Sequence, residues 1–108
     1  MNKVILTGNL TKEVELRYTP KNLAVAHFTL AVKRDSNNTD FLNCVAYGNQ
    51  AETITKYLDK GNRVGIDGHI QTGSYENKDG KKVYTTDIVV EKVEFLNNKK
   101  EEQDGFNE

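Results

Sequence analysis

Apolar residues along the chain fall mostly at every second position, and only one stretch switches to helical spacing. Lys3–Gly8 is a short apolar run that ends at a glycine, the form of a buried strand. Val14–Thr19 alternates weakly and is stopped by Pro20, which fixes φ and lacks an N–H, so Thr19-Pro20-Lys21-Asn22 reads as a turn. Leu23–Lys33 alternates clearly, with Ala24, Ala26, Phe28, Leu30 and Val32 on one face. A polar loop, Arg34–Asp40, leads into another strand over Phe41–Tyr47. Helical spacing appears at Ala51, Ile54, Tyr57 and Leu58. Asn49 and Glu52 stand as a capping box before it, and Gly61 stands as the stop after it. Extended structure resumes over Arg63–Tyr75, turns at Asn77-Lys78-Asp79-Gly80, where Asp-Gly tolerates positive φ, and returns over Val83–Leu96.

The element order is strand, strand, strand, one short helix, strand, strand. One helix in that place rules out a repeating βαβ sheet. Five strands with a single helix between the third and fourth match an all-β, five-stranded Greek-key barrel of the OB-fold type. The fold alone names no function. Past residue 97 the chain turns polar, which predicts one folded domain over 1–97 and a short, acidic, disordered tail over 98–108.

Composition narrows the picture. At 108 residues there is room for one small domain, and its modest core makes self-association an expectation. No apolar run nears the roughly 20 residues of a membrane span, and Met1–Leu10 lacks the apolar stretch of a signal peptide, so a cytoplasmic protein is expected. One cysteine can form neither an intrachain disulfide nor a zinc cluster. The formal charge of −1 conceals an asymmetry: residues 1–100 carry 15 basic and 12 acidic groups, whereas 101–108 carry four acidic groups and no basic one. A mildly basic body followed by an acidic end permits nucleic-acid binding without demonstrating it.

Catalytic chemistry has no residues to stand on. His27 and His69 lie on different strands without ligand-like spacing around them, and Cys44 sits inside an apolar strand as a buried thiol. Gly65 and Gly68 are too sparse for a phosphate loop and read instead as a bulge or bend. Asp35, Asp40, Asp67 and Asp87 show no spacing for a metal-dependent nuclease, and no cofactor or metal is implied. The aromatics say more. Phe41 and Tyr47 share one face of their strand with Asn43 and Val45, while Leu42, Cys44 and Ala46 suit a core. Tyr75 stands at the tip of the next hairpin, beside Lys78, Lys81 and Lys82. Lys3, Arg17, Lys33, Arg34 and Arg63 add cations near strand ends. Exposed aromatics interleaved with cations suit sequence-independent binding of single strands, since every base has a π-face and every nucleotide a phosphate. Phe28, Tyr18, Tyr57 and Tyr84 are assigned to the core.

Ordered motifs then resemble the bacterial and phage single-stranded DNA-binding proteins. They are Asn2-Lys3-Val4-Ile5-Leu6-Thr7-Gly8-Asn9-Leu10, Leu16-Arg17-Tyr18-Thr19-Pro20, Ala24–Val32, Thr39-Asp40-Phe41, Val45–Gly48, Tyr57–Gly61, Val64–Gly68 and Tyr84–Asp87, together covering residues 2–96. The resemblance implies an OB fold, a homotetramer, and coating of single-stranded DNA in replication, recombination and repair. It implies stacking by Phe41, Tyr47 and Tyr75, and neither catalysis nor a cofactor. The sequence departs from the family where Gln71, Thr72, Gly73 and Ser74 replace basic residues before Tyr75, and where Arg34–Asp40 lacks a further aromatic. Family tails end in acidic residues and a terminal Phe, whereas here Asp104 and Phe106 precede Asn107-Glu108. Asp104 and Phe106 are the candidate contacts for replication and repair proteins. Two other readings remain: a primosome-type accessory OB protein that works through protein contacts, and an oligomeric scaffold that buries the three aromatics between subunits.

Overall fold

The computed structural model describes residues 1–96. The acidic tail read at 98–108, with Asp104 and Phe106, lies outside the described residues. Six strands and one helix follow in the order β1 (Val4–Leu10), β2 (Glu15–Tyr18), β3 (Ala24–Lys33), β4 (Thr39–Tyr47), α1 (Asn49–Tyr57), β5 (Arg63–Glu76) and β6 (Lys82–Phe95). The five long strands and the helix between the third and fourth of them match the OB-type order. The weakly alternating stretch before Pro20 adds a short sixth strand, β2.

Strand pairing runs in a ring. β1 lies antiparallel to β5, β5 to β6 and β4 to β3, while β6 meets β4 in parallel through Cys44↔Ile88 and Val45↔Val89. β3 returns to β1 through Asn9↔Ala31 and Leu10↔Leu30, which closes the circuit. β2 pairs with the first half of β3, leaving the second half of β3 to make that closure. Two glycines allow the close approaches that the ring needs. A Cβ on Gly8 would collide with the Ala31 carbonyl, and one on Gly68 with the Val89 carbonyl, where the β5–β6 register shifts at Asp67/Gly68. The sequence reading of Gly68 as a bulge glycine therefore holds. Gly65 has room for a side chain.

The core fills the inside of the ring. Alternation along β3 delivers Ala24, Ala26, Phe28 and Leu30, and β5 delivers Val64 and Ile66. Cys44 and Ala46 come from β4, Ile88 and Val90 from β6, and α1 contributes Ala51 and Ile54, followed by Leu58. Both ends of the helix differ from the expected caps. Gly48, at φ 67°, is the N-cap, and its carbonyl accepts from the Glu52 N–H, while no side chain caps the helix. Glu52 instead accepts a 2.8 Å hydrogen bond from the Tyr18 hydroxyl. The helix ends at Tyr57, with Leu58 as C-cap. Gly61 (φ 89°) serves the following turn, where its N–H donates to the Leu10 carbonyl at 2.9 Å. The hairpin turn forms as the Asp-Gly pair predicts: Gly80 has φ 78°, and the Asn77 side-chain oxygen accepts from the N–H groups of Asp79 and Lys81.

Candidate nucleic-acid interface

Strand parity in β4 sends Phe41, Asn43 and Tyr47 outward and Cys44 and Ala46 into the core. Phe41 is 65% exposed and Tyr47 43% exposed. Val45 has the same outward parity but is buried, between His27 of β3 and Val89 of β6 in the register. On β5, Tyr75 has the parity of His69 and lies opposite Val83, and it is 57% exposed. His69 pairs with Val89, itself the register partner of Val45, so Phe41, Tyr47 and Tyr75 all belong to the outward face of one continuous sheet.

Two outward rows show how cations join these rings. Tyr47 lies across from Val25, and Val25 across from Arg17. Phe41 lies across from Ala31, Ala31 from Asn9 and Asn9 from Arg63. Arg63 and Lys33 line one groove of about 540 Å³ together with Asn9, Ala31 and Thr39, beside Phe41. Lys81 and Lys82 stand with Lys78 at the far end of the β5–β6 hairpin, close to Tyr75. Among the described residues, Lys33, Arg63, Lys78, Lys81 and Lys82 have no carboxylate within ion-pairing distance.

The remaining candidate cations have partners. Lys3 Nζ lies 2.6 Å from Asp67 and 3.7 Å from Glu91, and hydrogen bonding to Asp67 holds its pKa above the usual value. Arg17 approaches Glu15 loosely at 3.5 Å. Arg34 grips Asp40 through Nε and an Nη, so the Asp40 carboxyl is held below the ordinary range. Asp35 is also held low by backbone N–H donation, first from Asn37, which ties the 34–38 loop together. Exposed ion pairs of this kind are weak and exchangeable, so they set the orientation of a cation without removing it from solvent.

Three aromatics assigned to the core are outside it. Tyr18 donates to Glu52, Tyr57 packs edge-on against Phe95 with centroids 6.2 Å apart, and Tyr84 is 74% exposed. Of the four residues given that assignment, Phe28 alone is buried. Tyr84 shares its parity with Ile88 and Val90, which face the core. The hairpin runs past the ring, and there the inward face of the strand has nothing to cover it.

Among the described residues no catalytic constellation appears. Cys44 is buried, its thiol pushed up to about 12 by burial, and His69 Nδ1 is occupied by Glu91 at 2.6 Å. Among the described residues no group of three or more His, Cys, Asp or Glu side chains could hold a metal. None of their helices is long and apolar enough to cross a membrane.

Comparison with known proteins identifies the family. The model of the single-strand binding protein family matches residues 1–96. A single-stranded DNA-binding protein of Bacillus cereus is 49% identical over 117 residues, covering all of this chain and 69% of the relative. Single-stranded DNA-binding protein 3 of Listeria innocua is 50% identical, covering 92% of this chain and 66% of that one. Single-stranded DNA-binding protein A of Bacillus subtilis is 48% identical, with 89% and 59% covered. The chain thus spans about two thirds of the length of such relatives.

Proposed function

The chain belongs to the single-strand binding protein family, and from that premise we propose that it binds and coats single-stranded DNA without sequence preference. The observation that carries the proposal is the outward placement of Phe41, Tyr47 and Tyr75 on one sheet face, all three exposed to solvent. A folded domain that leaves its large aromatics in water, rather than in an available core, presents them to a partner. Bases stack on the rings. Lys33 and Arg63 meet the phosphates beside Phe41, and Lys81 and Lys82 meet them at the hairpin tip. Arg17, Lys3 and Arg34 exchange Glu15, Asp67 and Asp40 for phosphate as the strand arrives. Each stacked base contributes roughly 1–3 kcal/mol. The role is binding rather than catalysis, in replication, recombination and repair, in the cytoplasm at the nucleoid.

Assembly as a homotetramer belongs to the same reading. It is supported by the resemblance and by the exposed Ile5 on the outward side of β1, where a second copy would bury apolar surface. Contacts between replication or repair proteins and the acidic end of the chain, at Asp104 and Phe106, are a further part of it.

Titration of end-labelled oligo-dT against a matched duplex at several salt concentrations tests the proposal, with the label on the DNA because the chain has no tryptophan. The single strand is expected to bind far more tightly, with a log–log salt slope of about −0.7 per phosphate contacted. Equal binding of duplex and oligo-dT would end the coating reading in favour of the primosome-type accessory role. Loss of oligomer mass in Phe41→Ala with affinity retained would favour the scaffold.

A further inference from the structure

The β5–β6 hairpin carries an aromatic on each of its two faces, and only the Tyr75 face belongs to the surface described above. We infer that Tyr84 is a second stacking position on the reverse of the hairpin, and that a single strand seated on Tyr75 passes round the hairpin tip to reach it. This rests on the proposed single-strand binding and extends the bound path past the outward sheet face.

The register places the two rings back to back. Tyr75 lies opposite Val83 and Ser74 opposite Tyr84, so the aromatics occupy neighbouring rungs and, by alternation, opposite faces. Only one layer of backbone separates them. Six aromatics among the described residues are exposed, and they sort cleanly. Phe41, Tyr47 and Tyr75 share the outward face. Tyr18 is engaged by Glu52 and Tyr57 by Phe95. Tyr84, the most exposed of the six at 74%, has only the Lys82 ammonium, 5.5 Å from its ring centroid. An aromatic flanked by a cation and left in water offers what a nucleotide needs, a π-face and a charge for its phosphate.

The route between the rings is also charged. Lys78 and Lys81 stand in and after the turn, and Lys82 follows on the Tyr84 face, against Glu76 and Asp79. The tip is held in shape by the Asn77 side chain, which accepts from two backbone N–H groups, so it presents a fixed corner for the strand to bend around. Residues 71–74 before Tyr75 carry no cation, so the charge available to this end of the path lies at the tip.

Oligo-dT in a ladder of increasing lengths, titrated against the full chain and its Tyr84→Ala, Tyr84→Phe and Tyr75→Ala variants at one salt concentration, tests this. Tyr84→Ala should bind the shortest oligomers like the parent. It should lose roughly fivefold or more, one stacked base, once the oligomer is long enough to round the tip. Tyr84→Phe should keep the parent affinity at every length, and Tyr75→Ala should weaken binding from shorter lengths onward. Parent-like binding by Tyr84→Ala at all lengths, or equal weakening at all lengths, overturns the inference. So does a fall in oligomer mass in light scattering of Tyr84→Ala, which would assign this face to a second copy of the chain. In each of those cases the parent still prefers oligo-dT to duplex. If the parent shows no such preference, the proposed function itself falls and the inference falls with it.

Discussion

The ring and the hairpin that leaves it are made of the same two strands, yet they follow different physics. Between Val64 and Gly68, and between Ile88 and Val90, β5 and β6 face a packed interior. From Gln71 to Glu76 and from Lys82 to Thr86 the same strands have no interior, and their side chains are exposed or half-buried on both faces. The ring is held by apolar burial, at roughly 25 cal/mol per Å² removed from water. The hairpin is held by its backbone ladder and by the Asn77–Gly80 turn. Side chains in the ring are committed to stability, whereas those on the hairpin are left to solvent.

Substitutions can break that contrast or sharpen it. The largest effect is expected for Ile54→Ala, which empties space beneath β3 and β4 and should lower unfolding free energy by about 2–5 kcal/mol in urea titration. Tyr75→Ala should cost roughly 1–3 kcal/mol of oligo-dT affinity, with the urea midpoint nearly unmoved. A large drop in stability in that variant would make the hairpin part of the core and erase the distinction.

A smaller effect is tied to pH and belongs to the ring. Burial raises the Cys44 thiol to about 12 in the folded chain. The unfolded chain therefore ionises it first, and its contribution to stability, complete below the unfolded pKa, is lost as pH climbs toward 12. The loss is on the order of 1 kcal/mol by pH 10, and Cys44→Ala should lack that part of the slope in denaturation measured from pH 8 to 10. The smallest effects belong to the hairpin cations. Lys81→Ala and Lys82→Ala should each flatten the log–log salt slope of oligo-dT binding by about 0.7, with no change in unfolding. An unchanged slope would mean that the strand does not reach the tip.

Much of the ring was legible in the sequence because its signals are local. Period-2 alternation in β3 and β4 separated Phe28, Leu30 and Cys44 from Phe41 and Tyr47 without any knowledge of neighbours. Asp79-Gly80 marked its own turn. What escaped depends on distant partners. Parity gave Tyr84 an inward side, but whether anything lies on that side is decided by how far β5 and β6 run past β1 and β4. The capping box failed because Tyr18, 34 positions away, takes the Glu52 carboxylate. The ion pairs of Lys3 with Asp67 and of Arg34 with Asp40 likewise come from strand register and loop closure, which spacing along the chain does not display.

Closure of the ring also dictates when the molecule can come into being. β1 finds its partner in β5, more than fifty positions later, and β6 must be in place before β5 and β4 are joined. A nascent chain that has emerged only as far as α1 can assemble the β2–β3–β4 meander but cannot complete its interior, and Leu10, Leu30 and Ile54 wait for Val64, Ile66, Ile88 and Val90. Folding is therefore a late and cooperative event, completed after the last strand has been synthesised. Its rate should lie in the slow, millisecond-to-second class of topologies dominated by non-local pairings.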